Sequence, residues 1–216
     1  MDVDKAIAAV ERYLRQFIAF IVSFIRKDTE TEEDALYADL NATVIFSIMG
    51  AFLGAYMWKR YIQFESHKEA ASGLIEIAAD SLLRWISLGL ALFFVLFLFR
   101  IKSHVVTSVI ALLKAYVVSH VLSVYVGYIV NSLFWIFVDE RDFTDDYAAF
   151  LAALTAWGLN VILVTIFVPR EIGKLMPDSA TRAVRVSSII VYMSIIYIYF
   201  ALNFVDKYYE LLELHF

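Results

Sequence analysis

"VVTSVIALLKAYVVSHVLSVYVGYIVNSLFWIFV", residues 105 to 138, decides the fold, because this run of 34 residues contains a single lysine, Lys114, and no acidic residue. At about 1.5 Å per residue, a helix of this length extends about 51 Å, whereas the hydrocarbon core of a bilayer is about 30 Å thick. Counting back about 20 residues from Asp139 places the start of the crossing near Val117 or Ser119. Lys114 is then expected in the headgroup layer, with its stem snorkelling; a lysine held inside the membrane for a function is the alternative.

The composition of the whole chain is that of a membrane protein. Its 216 residues are 62% hydrophobic and 19% charged, and the mean hydropathy is +0.72. Soluble domains are about half apolar and a quarter charged. The chain has no cysteine, which excludes disulfides and thiolate-bound metal. Its net charge is -5 and its acidic residues lie in loops, so no nucleic-acid partner is expected.

Five apolar stretches have the length and continuity of membrane-crossing helices. They are residues 42–58, 81–99, a span inside 105–138, 147–168 and 186–205. The sequence therefore predicts an all-α fold, a polytopic helical membrane bundle of five transmembrane helices plus an N-terminal amphipathic helix. Its parts are a cytoplasmic amphipathic helix and acidic connector (residues 1–41), the transmembrane domain (42–206) and a short C-terminal tail (207–216).

The distribution of basic residues predicts the orientation. Twelve lie on the side of the N-terminus and six on the opposite side. Because positive charge favours the cytoplasm, the N-terminus is expected inside and the C-terminus, after five crossings, outside. The membrane would be the cytoplasmic (inner) membrane in a prokaryote and a secretory-pathway membrane in a eukaryote.

The first helix carries apolar residues at alternating steps of four and three, which places them on one face. They are Val3, Ile7, Val10, Leu14, Phe17, Ile21 and Phe24. We expect this helix to lie on the cytoplasmic surface or under the bundle; a self-associating coiled coil is the alternative. The acidic connector "RKDTETEEDALYADL" is interpreted as a solvated run, or else as a docking site for a basic partner.

Small and polar residues predict how the crossings pack. Ser47, Gly50 and Gly54 form a small-residue face with GxxxG spacing, which lets helix backbones approach closely. The fourth span continues this pattern with Ala149, Ala153, Ala156 and Asn160. In the third span a polar stripe follows one face, formed by Tyr116, His120, Ser123, Gly127 and Asn131. Interhelical hydrogen bonding explains the stripe; a small polar cavity or permeation path is the alternative.

No catalytic, cofactor-binding or metal-binding residues are predicted. The chain has no HExxH, GxSxG, Walker or GxGxxG motif, and its histidines, His67, His104, His120 and His215, are scattered. The loop "DERDFTDD" is interpreted as a solvated turn, with calcium binding as the alternative.

Charges and prolines are expected at the ends of the spans. Asp80 and Arg84, four residues apart, predict an interfacial ion pair beside Trp85. Both prolines, Pro169 and Pro177, are placed in one loop, so broken helices of the transporter type are not expected.

Several of these features together resemble the Yip (Ypt-interacting protein) domain family of five-span membrane proteins. The resemblance is carried by the N-terminal amphipathic segment, the acidic connector ending in "ADL", the small-residue first span and "YVGYIVNSLFWI" in the third. Asp39, Leu40, Gly127 and Tyr128 align with the family's motif positions. The resemblance implies a cytoplasmic N-terminus and a role in membrane trafficking or organisation, or, for prokaryotic relatives, a membrane role without an assigned reaction.

These observations lead to the expectation of a non-enzymatic membrane scaffold or adaptor. Its partners would be the lipid bilayer and a membrane or cytoplasmic protein, or a second copy of the chain. The alternative is a channel or transporter subunit with a polar path lined by the third span. A membrane enzyme is disfavoured, because the sequence shows no convergent pair of acid, base or metal-binding groups.

Overall fold

A computed structural model describes residues 3–26, 43–55, 67–137 and 145–213, and these ranges contain six helices and no strand. The helices are α1 (Val3–Arg26), α2 (Thr43–Ala55), α3 (His67–Leu98), α4 (Val105–Phe137), α5 (Asp145–Leu175) and α6 (Arg182–Glu213). The all-α prediction is confirmed for this part of the chain. The acidic connector with Asp39 and Leu40, residues 139–144 of the acidic loop and residues 214–216 lie outside it.

Four of the helices are long and apolar enough to cross a membrane. Their apolar segments are Gly73–Leu98, Val105–Phe134, Leu151–Leu175 and Arg182–Leu202. The chain is therefore an integral membrane protein. The predicted first crossing, residues 42–58, corresponds to α2; the described 13 residues of α2 extend about 20 Å, less than the hydrocarbon thickness, and residues 42 and 56–58 lie outside the described ranges.

Helix α4 is the centre of the bundle. It packs most extensively against α5, next against α3, and it also contacts α1. Leu112, Ala115, Val117 and Val118 have no exposed surface. In an 18-residue apolar stretch of α4, 56% of the residues are buried, against 33% or less in the corresponding stretches of the other three candidate spans. Helix α4 is therefore the most buried of the four.

The C-terminal half of α1 packs onto this core through aromatic rings. Phe17 and Phe20 lie against Phe46 of α2, with ring centroids 5.5 and 5.1 Å apart. Leu14 of the predicted apolar stripe is 48% exposed, and Ile18, on another face, is 59% exposed. This half of α1 is thus apolar on more than one side, while the side chains of Val3, Ile7 and Val10 lie outside the described part.

Two short connections join helices at the same end of the bundle. Helix α3 ends in a Schellman motif, in which Ile101 N–H donates to Leu96 O and Arg100 N–H to Phe97 O, both at 2.9 Å. Helix α6 begins after Thr181, whose Oγ1 accepts a hydrogen bond from the N–H of Val184 at 3.4 Å. These local bonds fix the α3–α4 and α5–α6 turns.

The prediction that both prolines lie in one loop is wrong for Pro169, which is inside α5. A proline inside a helix removes one hydrogen bond and costs about 3 kcal/mol. Val168 and Ile172, on either side of it, are completely buried, so packing holds the helix together past the proline. Helix α5 consequently carries Arg170, Glu171 and Lys174 as helical residues, where the sequence placed a loop.

Candidate functional site

Two buried tyrosines join three helices at the centre of the bundle. The hydroxyl of Tyr192 on α6 donates to the carbonyl oxygen of Leu88 on α3 at 2.9 Å. The hydroxyl of Tyr116, on the α4 stripe, lies 3.4 Å from that of Tyr192. Because the proton of Tyr192 is used by Leu88, Tyr116 is the donor of this second bond. Tyr192 was not predicted as a site residue, because a tyrosine in an apolar run carries no spacing signal.

The next stripe residue toward the C-terminus, His120, is half-buried between α2 and α3. Its ring makes an edge contact with Trp85, with centroids 5.4 Å apart. The backbone of Gly54 lies so close to the imidazole that a Cβ at this glycine would overlap Nε2. One turn earlier, a Cβ at Gly50 would lie 3.0 Å from Cγ1 of Val117. Both glycines of the GxxxG pattern therefore face α4 of the same chain.

Farther along α4, the stripe meets α5 instead. A Cβ at Gly127 would lie 2.9 Å from both the carbonyl oxygen of Ala152 and Cβ of Ala156. Ser123 is buried, and its hydroxyl donates to the carbonyl of His120 at 2.8 Å. At this level the two helix backbones are in close contact and leave no room for a side chain.

The other predicted packing residues have more varied positions. Ser47 is buried and donates to the carbonyl of Thr43 at 2.6 Å. Ala153, Asn160 and Asn131 are half-buried. The Oδ1 atom of Asn160 is buried without a hydrogen-bond partner among the described residues. Ala149 lies in α5, but its side chain is outside the described part.

A buried carboxylate, missed by the sequence analysis, lies near the end of α5. The Glu171 side chain is 4% exposed and accepts hydrogen bonds from Arg170 Nε at 3.0 Å and from Lys174 Nζ at 2.9 Å. Lys114 of α4 is half-buried and close enough to interact electrostatically with Glu171 and Lys174. We call these four residues the Glu171 cluster. Two cations contact this carboxylate and a third interacts with it electrostatically, so the buried negative charge is compensated and positive charge remains.

Arg170 of this cluster also holds the end of α1. Its Nη2 donates to the carbonyl oxygen of Phe24 at 2.9 Å, and its guanidinium lies 4.2 Å from the centre of the Phe24 ring. The last carbonyls of a helix have no intrahelical donor, and a cation there complements the helix dipole. The Phe24 ring also makes an edge contact with Phe167, at 5.2 Å. One arginine thus connects α1, α5 and Glu171.

The predicted ion pair between Asp80 and Arg84 is confirmed, with an Nη2 to Oδ2 distance of 2.5 Å. The Arg84 side chain is also close enough to Tyr199 of α6 to interact with it. The neighbouring residue, Trp85, is buried and lies against His120 of the polar stripe.

Among the described side chains, no group of three or more His, Asp or Glu lies close enough to hold a metal ion. The side chains of His67 and His215 are outside the described residues, as are those of the acidic loop.

Comparisons of the chain with known protein families, with curated proteins and with solved structures find no match. The resemblance to the Yip family stays a prediction that rests on the residues quoted for it above.

Proposed function

We propose that this chain is a non-enzymatic integral membrane scaffold or adaptor in membrane organisation or trafficking, as the Yip resemblance implies. The observation that carries the proposal is the attachment of α1. Arg170 fixes the carbonyl end of α1 to the bundle, whereas Glu11, Arg12 and Arg15 nearer its start are exposed. A helix held at one end presents its polar side chains in a fixed arrangement, which lowers the entropy lost when a partner binds.

The proposed topology has five crossings, with residues 42–58 as the first, a cytoplasmic N-terminus and an outer C-terminus. It is supported by the charges at the end where α3 meets α4 and α5 meets α6. Exposed or half-buried basic residues there are Arg100, Lys102, Lys174, Arg182 and Arg185. Positive charge favours the cytoplasmic side, in an inner membrane or a secretory-pathway membrane. Tags at the two termini test this, because a C-terminal tag accessible from the cytoplasm would contradict five crossings.

The proposed partner surface is tested by reversing charge on the exposed face of α1. The variant Arg12→Glu with Arg15→Glu leaves Phe17 and Phe24 in the core. Arg182→Glu is the matched control, since Arg182 is an exposed cation outside α1. Each protein is purified from native membranes in mild detergent, and the companions are identified and quantified.

We expect a stoichiometric companion, either another protein or a second copy of the chain, with the wild type and with the control. The α1 variant should lose it while keeping the melting temperature of the wild type. If every companion of the wild type is retained by the α1 variant in equal amount, the scaffold proposal fails.

The alternative, a channel or transporter subunit with a polar path along α4, is favoured by one observation. Glu171 is a buried charge that interacts electrostatically with Lys114, and charged groups inside membrane proteins commonly mark ion pathways. Its test is flux through vesicles that contain the purified protein. The scaffold proposal predicts potassium and proton fluxes equal to those of protein-free vesicles. A flux that His120→Leu and Asn131→Leu each abolish would favour the channel.

A further inference from the structure

An open pocket lies where α3 turns into α4, and no residue of the Glu171 cluster lines it. Its volume is about 490 Å³, within the range of small-molecule sites, which is roughly 300–1,000 Å³. Phe93, Phe97 and Leu98 of α3 form one side, and Arg100 and Lys102 of the turn form its rim. The pocket therefore has an apolar wall and a cationic edge.

The apolar wall runs along the axis of α3. Phe93 and Phe97 are one helical turn apart, and their rings stack with centroids 6.4 Å apart. Phe97 is 68% exposed and Leu98 is 75% exposed. Since α3 is long and apolar enough to span the bilayer, this wall is parallel to the acyl chains of the surrounding lipid.

The two cations at the rim are available for an anionic ligand. Arg100 and Lys102 are both exposed, and neither forms an ion pair with a carboxylate in the described ranges. They lie immediately beyond the apolar segment of α3, at the depth where the headgroups of a bilayer begin. Basic pockets in this position are a recurring way of binding anionic lipid headgroups.

The backbone conformation of Arg100 is a second feature, independent of the pocket's shape, that favours a ligand site. Arg100 has φ of 56°, the left-handed conformation at the position of a Schellman motif where glycine is usual. A long side chain is strained there, and such strain is found where the side chain has a use. An arginine thus lines the pocket at a turn position that glycine would suit better.

We propose that this pocket binds one anionic phospholipid, with the phosphate against Arg100 and Lys102 and an acyl chain along Phe93 and Phe97. A free phosphate ion would use only the rim and leave the apolar wall and most of the volume empty. A phospholipid matches both the charge and the apolar surface. The site is independent of the scaffold function proposed above.

The proposal is tested by intact-complex mass spectrometry of the full chain in detergent, titrated with phosphatidylglycerol or with phosphatidylcholine. The wild type should bind one phosphatidylglycerol in preference to phosphatidylcholine. Each cation near a lipid surface contributes about fivefold in affinity, so Arg100→Gly with Lys102→Gln should weaken phosphatidylglycerol binding about thirtyfold. Glycine suits the left-handed backbone, so the variant is expected to fold.

Two controls separate the lipid from other anions. Arg182→Gln removes an exposed cation at the same end of the bundle and should leave phosphatidylglycerol binding unchanged. Inorganic phosphate should fail to displace the lipid, and Phe97→Ser should weaken lipid binding. Equal binding of phosphatidylcholine, unchanged phosphatidylglycerol binding by the double variant, or displacement of the lipid by inorganic phosphate would each overturn the proposal.

Discussion

The close contact between α4 and α5 predicts opposite effects of the same substitution at two glycines. Gly127 faces Ala152 and Ala156, and an added Cβ would be 2.9 Å from the nearest atoms of both. Gly158, in the next helix, has no atom within 4 Å of the position of an added Cβ. Gly127→Ala should therefore destabilise the protein, whereas Gly158→Ala should stabilise it.

The expected magnitude follows from two contributions. Optimal contacts between carbon atoms are about 3.5–4.0 Å, so α4 and α5 must separate by about 0.6–1.1 Å to accept a methyl group at Gly127. Overpacking of this kind lowers the free energy of unfolding by about 1–3 kcal/mol. Alanine gains about 0.8–1.0 kcal/mol over glycine inside a helix, and this gain is common to both sites. The free energies of unfolding of the two variants should therefore differ by about 1–3 kcal/mol, with Gly158→Ala above the wild type.

The difference is measured by reversible unfolding of both variants in the same bicelles, with helicity as the signal. Comparing the two alanine variants cancels the helix-propensity gain and leaves the packing contribution. Equal stability of the two variants would refute the reasoning, because α4 and α5 would then have room for a methyl group at Gly127. Loss of stability in both would point instead to a general requirement for glycine.

Three further changes have expected outcomes by the same unfolding assay. Gly54→Ala should lower the free energy of unfolding by about 2 kcal/mol or more, because the added Cβ would overlap the imidazole of His120. His120→Ala in that background should restore part of the lost stability. Additive losses from the two substitutions would show that the two residues do not touch. Glu171→Gln should lower the free energy of unfolding by about 2–3 kcal/mol, since cations at a nearly buried site lose their counter-charge. The control Asp178→Asn, on an exposed carboxylate, should leave the unfolding midpoint unchanged. Equal effects of the two substitutions would contradict the burial of Glu171. Tyr192→Phe removes one buried donor and should cost about 1–1.5 kcal/mol, and a neutral result would mean that its hydrogen bond to α3 is not formed.

The location of the long helices was predictable because the signal is local. An apolar run of about 20 residues has few alternatives in lipid, and four of the five predicted runs coincide with long apolar helices, although the run 81–99 extends one residue past α3. The ends were less predictable. Helix α3 begins at His67 and α5 continues to Leu175, beyond the apolar residues that define residues 81–99 and 147–168. Whether a helix continues past a charge or past Pro169 depends on what it packs against, and that is not a local property.

The contents of the candidate site were predictable only in part. The polar stripe on α4 is predictable from the spacing of its residues along the sequence. The residues of other helices that the stripe contacts are not predictable from that spacing. Glu171 follows Pro169 closely, which favours a loop when the sequence is read locally, and its interaction with Lys114 joins residues far apart in the chain. No sequence pattern indicated the close helix contact at Gly89 either. It lies against the backbone of Val109, where an added Cβ would be 2.9 Å from the Cα atom.

The central place of α4 has a consequence for how this sequence can vary. In an 18-residue apolar stretch of α6 only 22% of the residues are buried. Most residue changes on α6 therefore meet lipid, which accommodates many apolar shapes. A change on α4 must be accepted at once by several neighbouring helices, whose own residues would have to change with it. Natural variants of the chain should therefore drift on α6, while α4 changes slowly and in concert with its neighbours.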